Sequence, residues 1–234
     1  VIKFWLMRLT KHTKISPVIL KKCKVHNTIN ILSGRSATYA MFSNLTSSPH
    51  EDYMVFSDIK MALNEMAIHL PYKMDFTQII SESIILTNEY WEEIVQSYSG
   101  LFEVGNDGPP IPLRESANPM LSFNKEEVTR YYEYFGYEVA VDRQWESDHL
   151  AIELEFIHFL CQGELGSEDA LSFQLAQKDF IDRHFILWLA SINHKIKGLD
   201  VHPYWIEIFS ALYTFIQKDL EWLTTQTKYL KETI

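Results

Sequence analysis

Asp148 and His149 stand side by side at the head of an apolar run that carries Glu153, Glu155 and His158 before Leu160. A histidine next to a carboxylate is the pattern of a general base with an acid to orient it. On a helix, adjacent positions point about 100° apart, so Asp148 does not naturally hold the His149 ring. Glu153 lies one turn below His149 on nearly the same face and can pair with it. Asp148, in the first turn, complements the positive end of the helix dipole. The spacing therefore fits either an acid–base pair or a helix cap above a histidine–glutamate contact.

The same run holds two Glu-x-x-His spacings, Glu146 to His149 and Glu155 to His158. Di-iron bundles use that spacing, but with the two motifs on facing helices. Here both belong to one helix, and nine residues rotate His149 and His158 about half a turn apart. They point to opposite sides. His184, His194 and His202 add no supporting ligand spacing. No metal or other cofactor is expected. The chain also lacks a P-loop and a G-x-S-x-G elbow.

A second unusual segment precedes this run. Residues 101–116 place Gly105, Gly108, Pro109, Pro110 and Pro112 together, followed by Arg114, Glu115 and Ser116. Prolines stiffen such a loop and glycines permit tight turns and close backbone approach. A rigid loop beside an acidic helix start can grip an extended or helical peptide, above all a basic amphipathic one. Packing across the bundle as a structural loop is the other reading. An acidic rim for a basic peptide would come from Asp148 and Glu153, with Glu103, Asp107 or Glu115 on the loop.

The elements that must carry these residues read as helices nearly throughout. Residues 36–46 put Tyr39, Phe42 and Leu45 on one side, with Pro49 as the stop. Residues 51–69 carry Phe56, Ile59, Leu63 and Met66, and residues 77–102 carry Ile80, Ile84, Trp91, Val95, Tyr98 and Phe102. Asn124 with Glu127 predicts a capping box, and Gly136 a stop. Ser147 is the expected cap of the next helix, which Gly163 and Gly166 end. Ser167 opens a long helix to about residue 197, and a last helix follows Pro203. No segment shows period-two alternation with hairpin turns. The expected fold is all-α, a single compact bundle of roughly eight helices with a long Gly/Pro-rich central loop. Aromatic residues at helical spacing are read mainly as core, with a groove for an apolar peptide as the alternative.

The net charge of −10 hides an asymmetry. The first fifty residues hold eight of the 21 basic groups and no acid, leaving residues 51–234 with 13 basic against all 31 acidic groups, a net of −18. Such a body repels nucleic acid and attracts basic partners. Residues 1–34 read as a basic extension, either a disordered leader or an over-extended start, ahead of a helical domain at 35–230. No apolar run reaches the roughly 20 residues of a membrane span, so no stable membrane insertion is expected. Cys23 and Cys161 are far apart and suit free thiols in a reducing cytoplasm.

Several of these segments together resemble the TorD/DmsD/NarJ family of redox-enzyme maturation chaperones. The resemblance rests on Tyr98-x-x-Leu101-Phe102-x-x-Gly105, on Pro109-Pro-Ile-Pro-x-x-Glu115-Ser116 and on Tyr132-x-x-Phe135-Gly136. Asp148-His149-x-x-x-Glu153-Leu154, Asp182-Arg-His184-x-x-x-Trp188 and Arg35-Ser-Ala-Thr-Tyr39 extend it over residues 35–225. The loop wording is most similar to chaperones of DMSO-reductase-family molybdoenzymes, of the type II branch. The resemblance implies a cytoplasmic, all-helical protein that is not an enzyme. It would bind the twin-arginine leader or the core of an apo-molybdoenzyme catalytic subunit, hold back export and assist molybdenum-cofactor insertion. Carried over by position, Asp148 and His149 would contact the leader, with Glu153 beside them and Pro112, Glu115 and Ser116 in the neighbouring wall. Trp91, Tyr98 and Phe102 are further candidates or core. The alternatives are a metal- or nucleotide-dependent enzyme using His149 and Glu153, or a structural subunit of a redox complex. Monomer and homodimer are both open.

Overall fold

The computed structural model describes residues 26–49, 63, 65–76, 88–118, 125–140 and 147–233. Among them the chain forms α1 (His26–Leu45), α2 (Asn88–Tyr98), α3 (Lys125–Phe135), α4 (Leu150–Gly166), α5 (Ala170–Phe180), α6 (Ile186–Lys197) and α7 (Pro203–Thr233). No β-strand occurs among the described residues, and the fold is all-α as the periodicity predicts. The basic arm through residue 25, Phe56, Ile59, Ile80, Ile84, the Asn124 cap and Glu146 lie outside the described residues.

Two helices are buried on almost every side and form the centre. From Leu32 to Leu45, α1 is covered nearly all round, and α4 is buried over most of Leu150–Cys161. A helix covered all round must satisfy its polar side chains internally. Ser43 Oγ donates to the Ala151 carbonyl (2.7 Å), and His158 Nδ1 lies 2.9 Å from both Ser36 Oγ and Ser36 O. Gln162 Nε2 donates to Ser36 Oγ (2.6 Å). These contacts clamp α1 along α4. The first helix thus begins at His26, well before the residue 36 start read from its apolar spacing.

Around this pair, α5 packs on α4, and α5 and α6 pack on α7. Phe215 of α7 meets Tyr39 (4.8 Å between centroids) and Phe42 (5.7 Å), which closes the core from the far side. A buried charge cluster ties the same helices together. Arg35 Nε and Nη2 donate to the two carboxylate oxygens of Asp219 (2.7 and 2.8 Å), and Nη2 also donates to Gln177 Oε1 (2.7 Å). Tyr39 and Tyr72 hydroxyls donate to the same carboxylate (2.6 and 2.7 Å), and the guanidinium lies 4.5 Å from the Trp222 ring. Asp219 therefore accepts from four donors that join α1, α7 and the segment around Tyr72.

Among the described residues two π turns interrupt the helices. Ser99–Glu103 continues α2, and Ile181–Phe185 joins α5 to α6, so the single helix read from Ser167 to residue 197 has a widened turn in its middle. Its cap is Asp169, which accepts from Ser172 N (3.2 Å), not Ser167. Gly163 lies inside α4, and only Gly166 ends it. Gly136 does stop α3: its φ of +68° is the left-handed conformation that a helix C-terminus commonly needs.

Candidate functional site

The proline-rich loop is held as an extended strip. Ile111 N donates to the Leu101 carbonyl (3.0 Å), which returns the chain alongside the π turn after α2. Gly105 makes the bend possible, because a Cβ there would sit 1.9 Å from Gly108 O. From 111 onward the side chains alternate: Ile111, Leu113 and Glu115 are buried, whereas Pro112 and Arg114 are half-buried and Ser116 is exposed. That is strand periodicity in a six-residue stretch. A polar residue, Glu115, occupies the third inward position and hides the pattern from a hydrophobicity reading.

The strip pairs with the residues ahead of α4. Leu150 N donates to Leu113 O (2.9 Å) and Glu115 N to Asp148 O (3.0 Å), an antiparallel bridge centred on Arg114 and His149. The two hydrogen bonds flank that pair, so Arg114 and His149 face each other on the same side of the bridge. The two segments singled out in sequence are therefore one structure.

His149, not Ser147, is the N-cap of α4. Its φ and ψ of −83° and 137° are extended, and its Nδ1 accepts from Ala151 N (3.2 Å). The His149 carbonyl takes Ile152 N and Glu153 N (2.9 and 3.0 Å), so the first-turn donors are satisfied within the helix start. Asp148 consequently lies outside the first turn and turns back to the loop. Its Oδ2 accepts from Ser116 N (3.2 Å) and, in a short hydrogen bond, from Ser116 Oγ.

Beneath the bridge lies a buried acid cluster. Glu115 places both carboxylate oxygens against His184 Nδ1 (3.0 and 2.9 Å), and both residues are almost wholly buried. His184 comes from the π turn between α5 and α6 and is packed edge-on by Tyr131 (5.7 Å). Tyr132 donates to the Ser147 carbonyl (2.8 Å), and its hydroxyl is pushed well above the usual range by burial and then by Glu153. Glu153 is fully buried, and neither carboxyl oxygen has a hydrogen-bond partner among the described residues. Burial first, then Glu115 and Asp148, drive its carboxyl well above the usual carboxylate range.

The expected acidic rim is thus corrected. Asp148, Glu115 and Glu153 lie under the surface because their oxygens are drawn to Ser116, to His184 and into the cluster, and Glu153 does not pair with His149. Glu103 and Asp107 are exposed on the loop. Trp91, Tyr98 and Phe102 are core: Phe102 packs on Trp205 (5.2 Å) and Phe209 (5.6 Å), and Tyr98 on Trp205 (5.5 Å). Of the nine candidate residues, Pro112, Ser116 and His149 reach the surface, with Arg114 between them. His149 caps its helix and His158 sits against Ser36, so the two point to different surroundings. Among the described residues no three His, Cys, Asp or Glu side chains are grouped to hold a metal. Among them, too, no helix is long and apolar enough to cross a membrane.

Sequence reasoning missed His184 and Arg35 as partners of distant acids. His184 pairs with Glu115 across 69 positions, and Arg35 with Asp219 across 184. For Arg35 a charged residue inside an apolar helical stretch was the available signal; for His184, inside the π turn, there was none.

An all-helical fold is what the chaperone resemblance implies. The chain belongs to that family: residues 63–193, more than half its length, match the family described as nitrate reductase delta subunit. It is similar to the selenate reductase assembly chaperone protein of Thauera selenatis, 33% identical over 116 residues, or 47% of this chain and 60% of that one. The perchlorate reductase assembly chaperone protein of Dechloromonas aromatica is 24% identical over 80% of this chain and 88% of its own. The chaperone protein TorD of Shewanella pealeana is 20% identical over 93% and 96%. The more identical matches are thus partial, spanning about 60% of the relative's length.

Proposed function

We propose that this protein is a cytoplasmic assembly chaperone for a molybdenum-containing reductase. It binds the twin-arginine leader, or the core, of the apo-catalytic subunit, holds it back from export and keeps it open to cofactor insertion. One observation carries this reading: the Arg114–His149 bridge joins the two family motifs into one edge. Pro112, Ser116 and His149 lie along it and a buried acid cluster lies directly beneath. Relatives named as assembly chaperones of selenate, chlorate and perchlorate reductases support the same class of client.

The edge suits a peptide that is basic and apolar by turns. A strip fixed by two backbone hydrogen bonds and by Pro112 loses little conformational freedom on binding. The acids below supply a negative field without presenting a carboxylate that would need stripping of water.

Titration of the purified protein with a leader peptide carrying paired arginines tests the proposal. Asn is a good N-cap, so His149→Asn preserves the helix start while removing the imidazole. With Asp148→Ala, it is expected to weaken binding by about tenfold, equivalent to about 1.4 kcal/mol. Wild-type affinity in both folded variants would remove this edge from the site. A wild-type protein that binds neither leader nor precursor would remove the chaperone reading.

A further inference from the structure

Glu153 is the group in the cluster without a counterpart. Glu115 is satisfied by His184, and Asp148 Oδ2 by Ser116. Among the described residues Asp148 Oδ1, Ser147 Oγ and both Glu153 oxygens are buried without a hydrogen-bond partner. Three carboxyl groups therefore share a buried site with one histidine, below the edge formed by Arg114 and His149. Charged groups face Glu153 from two packed elements, Glu115 from the strip and Asp148 from the segment before α4, while Arg114 and His149 lie on the other side of the bridge. Tyr132 faces it from α3, and His184 of the π turn stands behind Glu115. Two like charges beside a buried carboxyl favour its neutral form. A cation arriving above the cluster favours the ionised one.

We infer that cation docking at the Arg114–His149 edge is coupled to ionisation of Glu153, so that the site takes up a guanidinium group and releases a proton to solvent. The inference rests on the leader-binding reading and adds a chemical property to it: specificity for positive charge is set by a proton held under the site. The balance is simple, since the bound peptide brings positive charge, Glu153 loses its proton and buffer accepts it. Glu153 acts here as a positioning and charge-setting residue.

Calorimetric titration of wild-type protein with the paired-arginine leader, in two buffers of different ionisation enthalpy at one pH, counts the protons. One carboxyl changes state, so release of up to about one proton per peptide is expected. Glu153→Gln is expected to bind more weakly and to release none. A leader with both arginines replaced by glutamine should also release none. Infrared difference spectra provide a check on wild-type protein alone: the protonated-carboxyl band should fall when the leader is added. Binding by wild type with no proton exchange, or equal release by Glu153→Gln, overturns the inference and leaves the chaperone reading intact. Failure of wild type to bind any leader removes both.

Discussion

Removal of the Asp219 carboxylate is the sharpest test of how the bundle is held. In Asp219→Leu, the Arg35 guanidinium loses two hydrogen bonds of 2.7 and 2.8 Å, and the Tyr39 and Tyr72 hydroxyls each lose an acceptor. Gln177 at 2.7 Å remains, together with Glu164 at 3.6 Å. Arg35 is fully buried, so water cannot replace the lost acceptor without opening the core. Removing one partner of a buried ion pair costs about 3–5 kcal/mol. A domain of this kind holds only about 5–15 kcal/mol in total. At about 2–4 °C per kcal/mol for this chain length, the melting temperature should fall by about 10 °C. Urea unfolding followed by far-ultraviolet circular dichroism gives the free energy directly. Arg35→Met should cost a comparable amount, while the double variant should cost clearly less than the sum of the two. That sub-additivity is the signature of a pair. Additive losses, or a loss below about 1 kcal/mol in Asp219→Leu, would refute the assignment of the cluster as the tie between α1 and α7.

The remaining stability predictions concern pH. His158 has its basicity lowered by burial, partly offset by the Ser36 carbonyl. Its native value lies below that of the unfolded chain, so its contribution is present above about pH 6.5 and is lost as pH falls through the native value. Melting curves from neutral to mildly acid pH should show this loss, and His158→Gln should flatten it; an unchanged slope would count against a His158 held neutral by burial. Glu153 has the opposite sign, because its native value is raised. Its contribution is full below about pH 4.3, the unfolded value, and disappears as pH rises through the native one. Glu153→Gln should therefore gain on wild type in urea titrations as pH rises, and an advantage that shrinks would contradict a neutral buried carboxyl.

Much of the fold was legible because helices announce themselves by period. Tyr39, Phe42 and Leu45 recur at the spacing that buried them, Gly136 stops α3, and Pro203 begins α7. The misses have separate physical causes. A π turn inserts phase that a constant 100° step cannot carry, so Ser167 to residue 197 reads as one regular helix and His184 falls on no recognisable face. The strip at 111–116 is too short, and its inward Glu115 too polar, to read as strand-like. The cap at His149 was hidden for a different reason. Imidazole Nδ1 can accept a backbone N–H, but Ser147 two positions earlier is the stronger cap by preference.

Those misses also explain why the candidate pair changed character. Asp148 and His149 read as neighbours that fail to cooperate, because a helix would turn them apart. Neither is in the helix. The chain is still extended at His149, and extended neighbours point to opposite sides, so Asp148 reaches Ser116 while His149 faces Arg114 across the bridge. The backbone alternation separates the two roles: one residue locks the strip and the other presents an edge. His184 completes the lock from beneath by holding Glu115, and the π turn sets the position from which it does so. A substitution that restores regular helix at Ile181–Phe185 would move His184 off Glu115 without touching the strip. On this reasoning the strip, not the distant helix, is where its effect would be felt.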